Sequence, residues 1–466
     1  MSADGYERVL DIAGERARRF LAELPERPVR ESAGVAELRR SLDRELPDAG
    51  EDPAKVVEEL AEAAEPGLIA LGSPRYFGFV IGGSLPAALG TEWLTTAWDQ
   101  IGSLYVCGPS AAVAEEVAGR WVLELLGLPT SAGFGLTTGG TMANFSGIAA
   151  GRHAVLGRAG WDVEARGLQG APEVRVLVGE HAHATIFVAL RMLGLGSERA
   201  VRVRADDAGR MIPSELADQL ERGAGPAIVC AQAGEVNTGC FDPLAEIADA
   251  CRDHDAWLHV DGAIGLWAAA SEELAHLTAG LDRADSWSTD SHKWLNVPYD
   301  SGFVAVADPA ALRGAMGIDA PYLTGAADAR DSYQYVPESS RRARGFSLYA
   351  ALRSLGRSGV AELVERTSAL ARLMAAELEA DPALELLNEV VINQVLVAIA
   401  GDDDGTLTAA AVERIQDDGT CWLAGTTWRG RAAIRVSICN WRTSEEDVRR
   451  SAAAIRGAVR EASEPS

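Results

Sequence analysis

Four short stretches of this 466-residue chain carry side chains whose types and spacing could do chemistry. The first is TTGGTMAN, residues 137–144. Its paired glycines permit a tight turn, and Thr138 and Thr141 can cap the helix-forming run that follows. The free N–H groups of such a helix start, around Gly140 and Thr141, form an anion site that suits a phosphate. The second is WLHVDGAIG, 257–265, where Asp261 closes an apolar run and small residues follow. A carboxylate there could meet a metal, a ribose or a protonated ring nitrogen, or simply cap a helix. Gly262 and Ala263 leave room for a flat group. The third is HAHAT, 181–185. His181 and His183 have the spacing of a metal pair, but no Asp, Glu or Cys cluster converges on them, so a histidine packed flat against a ring is the better use. The fourth is DSHKW, 290–294, in which Lys293 follows Asp290, Ser291 and His292. Of 43 Lys and Arg residues only Lys55 and Lys293 are lysine. A lysine retained here suits a phosphate point charge or a Schiff-base amine whose pKa is lowered by its surroundings.

The elements that must position these groups are legible around them. Short apolar runs at 174–179, 227–232, 257–262 and 303–307 read as strands, and 111–126 and 141–157 read as helices between them. Strand and helix in alternation predict a mainly parallel sheet covered on both faces, with ligands beyond the carboxyl ends of the strands. Each of the four stretches falls at such an end. Residues 5–71 have helical spacing (Val9, Ile12, Phe20, Leu21), interrupted by LPERPVRES and ELPDAGEDPAK. After about 345 the chain reads as helix to 380, then strands at 390–400 and 432–439 with helices between and after. The expected division is an N-terminal helical segment at 1–84, a large α/β domain at 85–345 and a smaller α+β domain at 346–466.

Composition bounds the function. The net charge of −25 argues against nucleic acid or an anionic membrane as partner. Six cysteines without a CxxC pair read as thiols in a reducing compartment rather than a disulfide frame or zinc site. No run of 18 apolar residues and no apolar signal core are present, so a cytoplasmic protein without a bound metal is expected. Taken together, a phosphate cup, a carboxylate, an aromatic histidine and an amine are the set that pyridoxal 5'-phosphate requires. Its aldehyde takes a lysine, its phosphate a helix N-terminus, and its ring nitrogen an aspartate.

These motifs resemble those of the group II pyridoxal-phosphate-dependent amino acid decarboxylases, which include aromatic-L-amino-acid and glutamate decarboxylases. The likeness runs from about 70 to 455. It is carried by SPRYFGFVIGGSLPAAL, GPSAAVAEEVAGRWVLELLGLP, TTGGTMAN, HAHAT, WLHVDGAIG, DSHKW and IRVSICNWRTSEEDV. The resemblance implies a fold-type-I enzyme with a seven-stranded, mainly parallel sheet, assembled as a homodimer, that releases CO2 from a small-molecule L-amino acid through a Lys293 Schiff base. It implies Gly140 and Thr141 at the phosphate with Asp290 and His292 nearby, His183 stacked on the ring with Ala263 on the other face, and Asp261 at the ring nitrogen. Phe79, Val80, Ile81 and Ser103 would belong to the substrate pocket. DAPYLTG places Tyr322 where the family has a mobile tyrosine that returns a proton to the α-carbon; phenylalanine there accompanies aldehyde synthesis. Four positions depart from the family: Gly262 stands for an alanine, Ile264 for a tyrosine, Gln232 for a Thr or Ala, and Ser103 for an aromatic residue. An aldehyde synthase or aminotransferase on the same scaffold is the alternative, with a non-catalytic scaffold a more distant one.

Overall fold

The computed structural model describes residues 4–321, 323 and 329–464. Its larger sheet has seven strands: β1 (Gly133–Thr137), β2 (Arg175–Gly179), β3 (Val201–Val203), β4 (Ala227–Gln232), β5 (Trp257–Asp261), β6 (Ser286–Asp290) and β7 (Gly302–Val306). They lie in the order β1-β7-β6-β5-β4-β2-β3. The neighbours from β6 through β5, β4 and β2 to β3 are parallel. β7 alone runs against its neighbours β1 and β6. Strands such as β4 (AIVCAQ) are buried along their whole length, which explains why they read as continuous apolar runs rather than alternating ones.

The helix Gly140–Arg158 lies across β5, β6 and β7. Small residues let it approach closely. A methyl group on Gly147 would sit 2.7 Å from the His259 ring, and one on Gly151 would sit 2.8 Å from Trp257. Its first residues are thereby held at the carboxyl ends of the strands.

Four more strands form an antiparallel sheet in the order β10-β11-β9-β8: β8 (Leu384–Leu386), β9 (Gln394–Ile399), β10 (Ala424–Trp428) and β11 (Arg431–Ser437). The helix Gly345–Glu379 joins the two bodies. Leu348, Leu352 and Val364 belong to the core under the larger sheet, whereas Leu370, Met374 and Leu378 belong to the core under the smaller one. The helix breaks direction at Gly356, where φ is +63. The expected strand at 390–400 is shorter than its apolar run and begins at Gln394, while β3, β8 and β10 have no strong apolar run of their own.

The N-terminal region, expected as broadly helical from 5 to 71, is three separate helices: Asp4–Glu23, Val35–Leu42 and Pro53–Ala64. The first packs on the third. Beyond them, Phe77 donates its N–H to the Trp422 carbonyl at 2.8 Å and accepts from the Ser437 N–H at 3.0 Å, which stitches this region to the smaller sheet.

Candidate active site

The carboxyl ends of the parallel strands open on one cavity of about 320 Å³. Its wall includes Gly140 and Thr141 after β1, His183 after β2, Gln232 at the end of β4, Asp261 and Ala263 at the end of β5, and Asp290, His292 and Lys293 at the end of β6. Tyr299, Val236 and Ile264 complete much of the rest. Residues up to 153 positions apart are thus convergent because their strands are parallel and their connections return on the far side.

Asp261 is 5% exposed. One carboxylate oxygen accepts the Ala263 N–H at 3.1 Å and the other accepts Asn144 Nδ2 at 2.9 Å. Asn144 is itself fixed. Its Oδ1 accepts from His259 Nε2 at 2.9 Å and from the Ser288 hydroxyl, and its Nδ2 also reaches Thr185 Oγ1 at 3.2 Å. On the other side of the His259 ring, Nδ1 lies 2.9 Å from Ser286 Oγ, which accepts from Trp257 Nε1 at 2.9 Å. Burial pushes the His259 pKa down to about 4, against the smaller upward pull of Asp261. The ring is therefore neutral at pH 7, with the proton on Nε2 directed at Asn144. A buried chain of donors runs from Trp257 to the carboxylate and fixes its orientation.

His183 caps the helix Ala184–Met192, its Nδ1 lying 2.8 Å from Thr185 Oγ1. Burial lowers its pKa, and Asp261 opposes that shift while Lys293 and Arg435 add to it. A neutral imidazole with a fixed ring plane can pack on a flat ligand. His292 is lowered for the same first reason, burial. Its Nδ1 accepts the Ser301 N–H at 3.1 Å, which leaves the proton on Nε2, toward Asp290 Oδ1 at 3.5 Å. The Tyr299 ring packs on His292 at 4.3 Å, and burial raises its phenol pKa.

Lys293 Nζ lies 3.0 Å from Asp290 Oδ2. Its turn is braced from behind: Asn296 Oδ1 accepts the N–H groups of Gly83 and Trp441, and Asn296 Nδ2 donates to the Cys439 carbonyl. Against Asp290 and His292 of this same turn, Gly139 has φ +151 and ψ −178, a conformation that glycine alone adopts readily. The N–H groups of Gly140 and Thr141 that follow have no acceptor among the described residues. Beside them Asp290 Oδ1 is buried without a partner among the described residues. Free backbone donors, an amine and a buried carboxylate around one cavity fit pyridoxal phosphate.

Every cofactor residue expected from the sequence lies on this cavity. Phe79, Val80, Ile81 and Ser103 do not. Phe79 is exposed against Trp422, Val80 lies in the main core, Ile81 receives a hydrogen bond from Cys439 Sγ, and Ser103 is fully buried. Tyr322 lies outside the described residues. Asn144, Thr185, His259, Ser286, Ser288, Tyr299 and Arg435 were not singled out in the sequence. AN within TTGGTMAN and HVD within WLHVDGAIG were the available signals for Asn144 and His259.

Residues 36–399 match the pyridoxal-dependent decarboxylase conserved domain. The chain is 27% identical to the aromatic-L-amino-acid decarboxylase of Bacillus atrophaeus over 445 residues, covering 91% of this chain and 89% of that protein. It is 30% identical to the acidic amino acid decarboxylase of Xenopus tropicalis, covering 76% and 70%. The 4-hydroxyphenylacetaldehyde synthase of Rhodiola rosea is 27% identical, with 91% and 89% covered. Its crystal structure superposes with a TM-score of 0.88 at 24% identity over 99% of both chains. The structure of Catharanthus roseus tryptophan decarboxylase with L-tryptophan also gives 0.88, at 20% identity over 99% of both chains. Fold and cavity define a fold-type-I pyridoxal phosphate enzyme. The chain belongs to the pyridoxal-dependent decarboxylase family, and it is a carboxy-lyase acting through that cofactor.

Proposed function

We infer that this decarboxylase removes the α-carboxyl group of an L-amino acid with Lys293 as the cofactor-binding amine, and that it works as a homodimer in a reducing, cytoplasmic compartment. The observation that carries this reading is the convergence of Lys293, Asp261, His183 and the Gly140 helix start on one cavity. Bound pyridoxal phosphate supplies an aldehyde for amines and a ring that takes up the electron pair left as CO2 departs. Gly140 and Thr141 N–H and His292 Nε2 would hold its phosphate, Asp261 its ring nitrogen, and His183 and Ala263 its two faces. The Trp257-to-Asp261 chain keeps the carboxylate oriented toward the ring. Arg435 on β11 supports a seat for the substrate α-carboxylate. Its guanidinium is largely buried, its charge lowers the His183 pKa, and it makes no side-chain hydrogen bond or ion pair among the described residues. Tyr322 is assigned, on its sequence position alone, to return a proton to the α-carbon. Support for the dimer comes from exposed Leu10, Leu60, Trp93 and Trp98 around the N-terminal helices, and support for the compartment from six free cysteines, five of them buried.

The test is a panel of L-amino acids, aromatic and acidic side chains included, with CO2, amine and peroxide measured together. Amine and CO2 in equal amounts are expected, and Lys293→Ala should lower turnover by several orders of magnitude. Tyr322→Phe should keep CO2 release, lose most amine and begin to consume O2. Peroxide from the unsubstituted chain would overturn the amine-forming reading in favour of aldehyde synthesis. Release of no CO2 from any amino acid would overturn the whole assignment.

A further inference from the structure

The anion cup contains a carboxylate. Asp290 closes β6 with its side chain 3% exposed and set against the start of the helix Gly140–Arg158. A methyl group on Gly140 would lie 2.7 Å from Oδ2, and one on Gly139 would lie 3.5 Å from Oδ1. Oδ1 accepts no hydrogen bond among the described residues. Oδ2 faces the Lys293 ammonium at 3.0 Å. His292 Nε2 stands 3.5 Å from Oδ1 and contributes a donor but no charge. Tyr299 is near the same carboxylate, its phenol pKa raised chiefly by burial with a smaller contribution from Asp290, and Asp300 beyond His292 is already paired with Arg344.

The charges in this cup do not balance once a phosphate ester enters. Such a group carries about −1.5 to −2 at neutral pH. Lys293, whose nitrogen the cofactor aldehyde takes, is no longer a free ammonium for it, and the Gly140 and Thr141 N–H groups offset only about half of one charge through the helix dipole. An ionised Asp290 would leave a buried excess of negative charge beside its phosphate, and like charges in such proximity force one group to keep a proton.

We propose that Asp290 is a proton-carrying hydrogen-bond donor to the cofactor phosphate: it is the counter-ion of Lys293 in the empty cup and a neutral acid in the loaded one. The proposal rests on the pyridoxal phosphate reading of the cavity. Loading then takes up one proton from solvent, shared between the carboxyl and the phosphate oxygen it faces. The sign follows by linkage. The carboxyl pKa is higher with phosphate bound than without, so the gain in affinity is complete below the unloaded pKa. It shrinks about tenfold per pH unit between the two values and is gone above the loaded one.

The experiment uses the full-length holoenzyme. Cofactor retention is measured by equilibrium dialysis between pH 6.5 and 9, alongside the 31P resonance of the bound phosphate, for the unsubstituted chain, Asp290→Asn and Asp290→Ser. Retention by the unsubstituted chain should fall by up to about tenfold per pH unit, with the 31P resonance moving in the same range. Both variants should lack that extra slope, and Asp290→Asn should hold the cofactor more tightly than the unsubstituted chain at pH 9. Circular dichroism confirms that the variants are folded. Parallel slopes in all three proteins would overturn the proposal, and so would folded variants that lose the cofactor at every pH. An unsubstituted chain that retains no pyridoxal phosphate at any pH would instead overturn the cofactor reading on which the proposal stands.

Discussion

His259 braces Asp261 through Asn144 without lining the cavity itself. The ring is fully buried, hydrogen-bonded at both nitrogens and two residues from Asp261. Its pKa of about 4 in the folded chain lies below the ordinary value of 6.5. A depressed pKa contributes stability that is present above the unfolded value and lost as pH falls through the folded one. Between pH 6.5 and 4 this amounts to on the order of 3 kcal/mol. Asp242 works the other way. It is buried beneath the N–H groups of Met211 and Gln232, and burial raises it from 3.8 to about 6. Its contribution is present below 3.8 and lost as pH rises through 6. The two therefore offset each other across much of the mildly acidic range. Urea midpoints at pH 4, 5, 6 and 7 check this. His259→Gln should lose stability at pH 7 yet lose less on acidification than the unsubstituted chain. An unchanged acid dependence in that variant would mean that the histidine titrates normally.

At the scale of elements, the lysine turn is held by a segment that looks inert. Gly82 passes directly against the Lys293 carbonyl, and a side chain there would collide with it. The neighbouring Gly83 N–H is bonded to Asn296 Oδ1 at 2.7 Å. Gly82→Ala should therefore displace the turn that carries Lys293 and cost roughly 1–3 kcal/mol, the usual range for overpacking a core. A lowered melting temperature together with weakened cofactor retention is expected; a variant with both properties intact would separate this segment from the turn. Such couplings explain what could be read in advance. The four strand-end groups were legible because each announces itself locally: paired glycines, or an Asp, His or Lys beside an apolar run. A strand was expected to end at DSHKW, but the extent and full burial of β6 were not legible, since SWSTD is mostly polar. Its serines are buried because their partners are: Ser286 meets His259, and Ser288 meets Asn144, which lies 144 residues earlier. Arg435 was hidden for a related reason. Only the packing of the smaller sheet beside His183 turns an ordinary strand arginine into a cation near the cavity.

For the molecule as a whole, the apolar side chains left in solvent are concentrated on the N-terminal helices and on Pro86–Trp98. Trp93 is 46% exposed and lines a groove with Phe20, Leu21 and Leu68. Isolated exposed leucines need no explanation, but a groove lined by Trp93, with Leu94 and Trp98 exposed on the same helix, is the kind of surface that a partner copy covers. The proposed dimer should bury more than about 2,000 Å² there and elsewhere. Trp93→Glu with Leu94→Glu should shift the sedimentation coefficient toward that of a 49.2 kDa monomer and reduce activity with it. An active monomer at micromolar concentration in the unsubstituted chain would remove the dimer from the mechanism. The scarcity of lysine has a practical consequence as well. Lys55 is an exposed amine beside Glu51, and Lys293 is the only other one among the side chains. An acylated lysine resists a lysine-specific endoproteinase. After brief acetylation of the native protein and then denaturation, cleavage after residue 293 should occur only in those molecules whose Lys293 was shielded. The ratio of fragment 294–466 to uncut chain would then gauge how many sites were filled, with no chromophore and no assay of turnover.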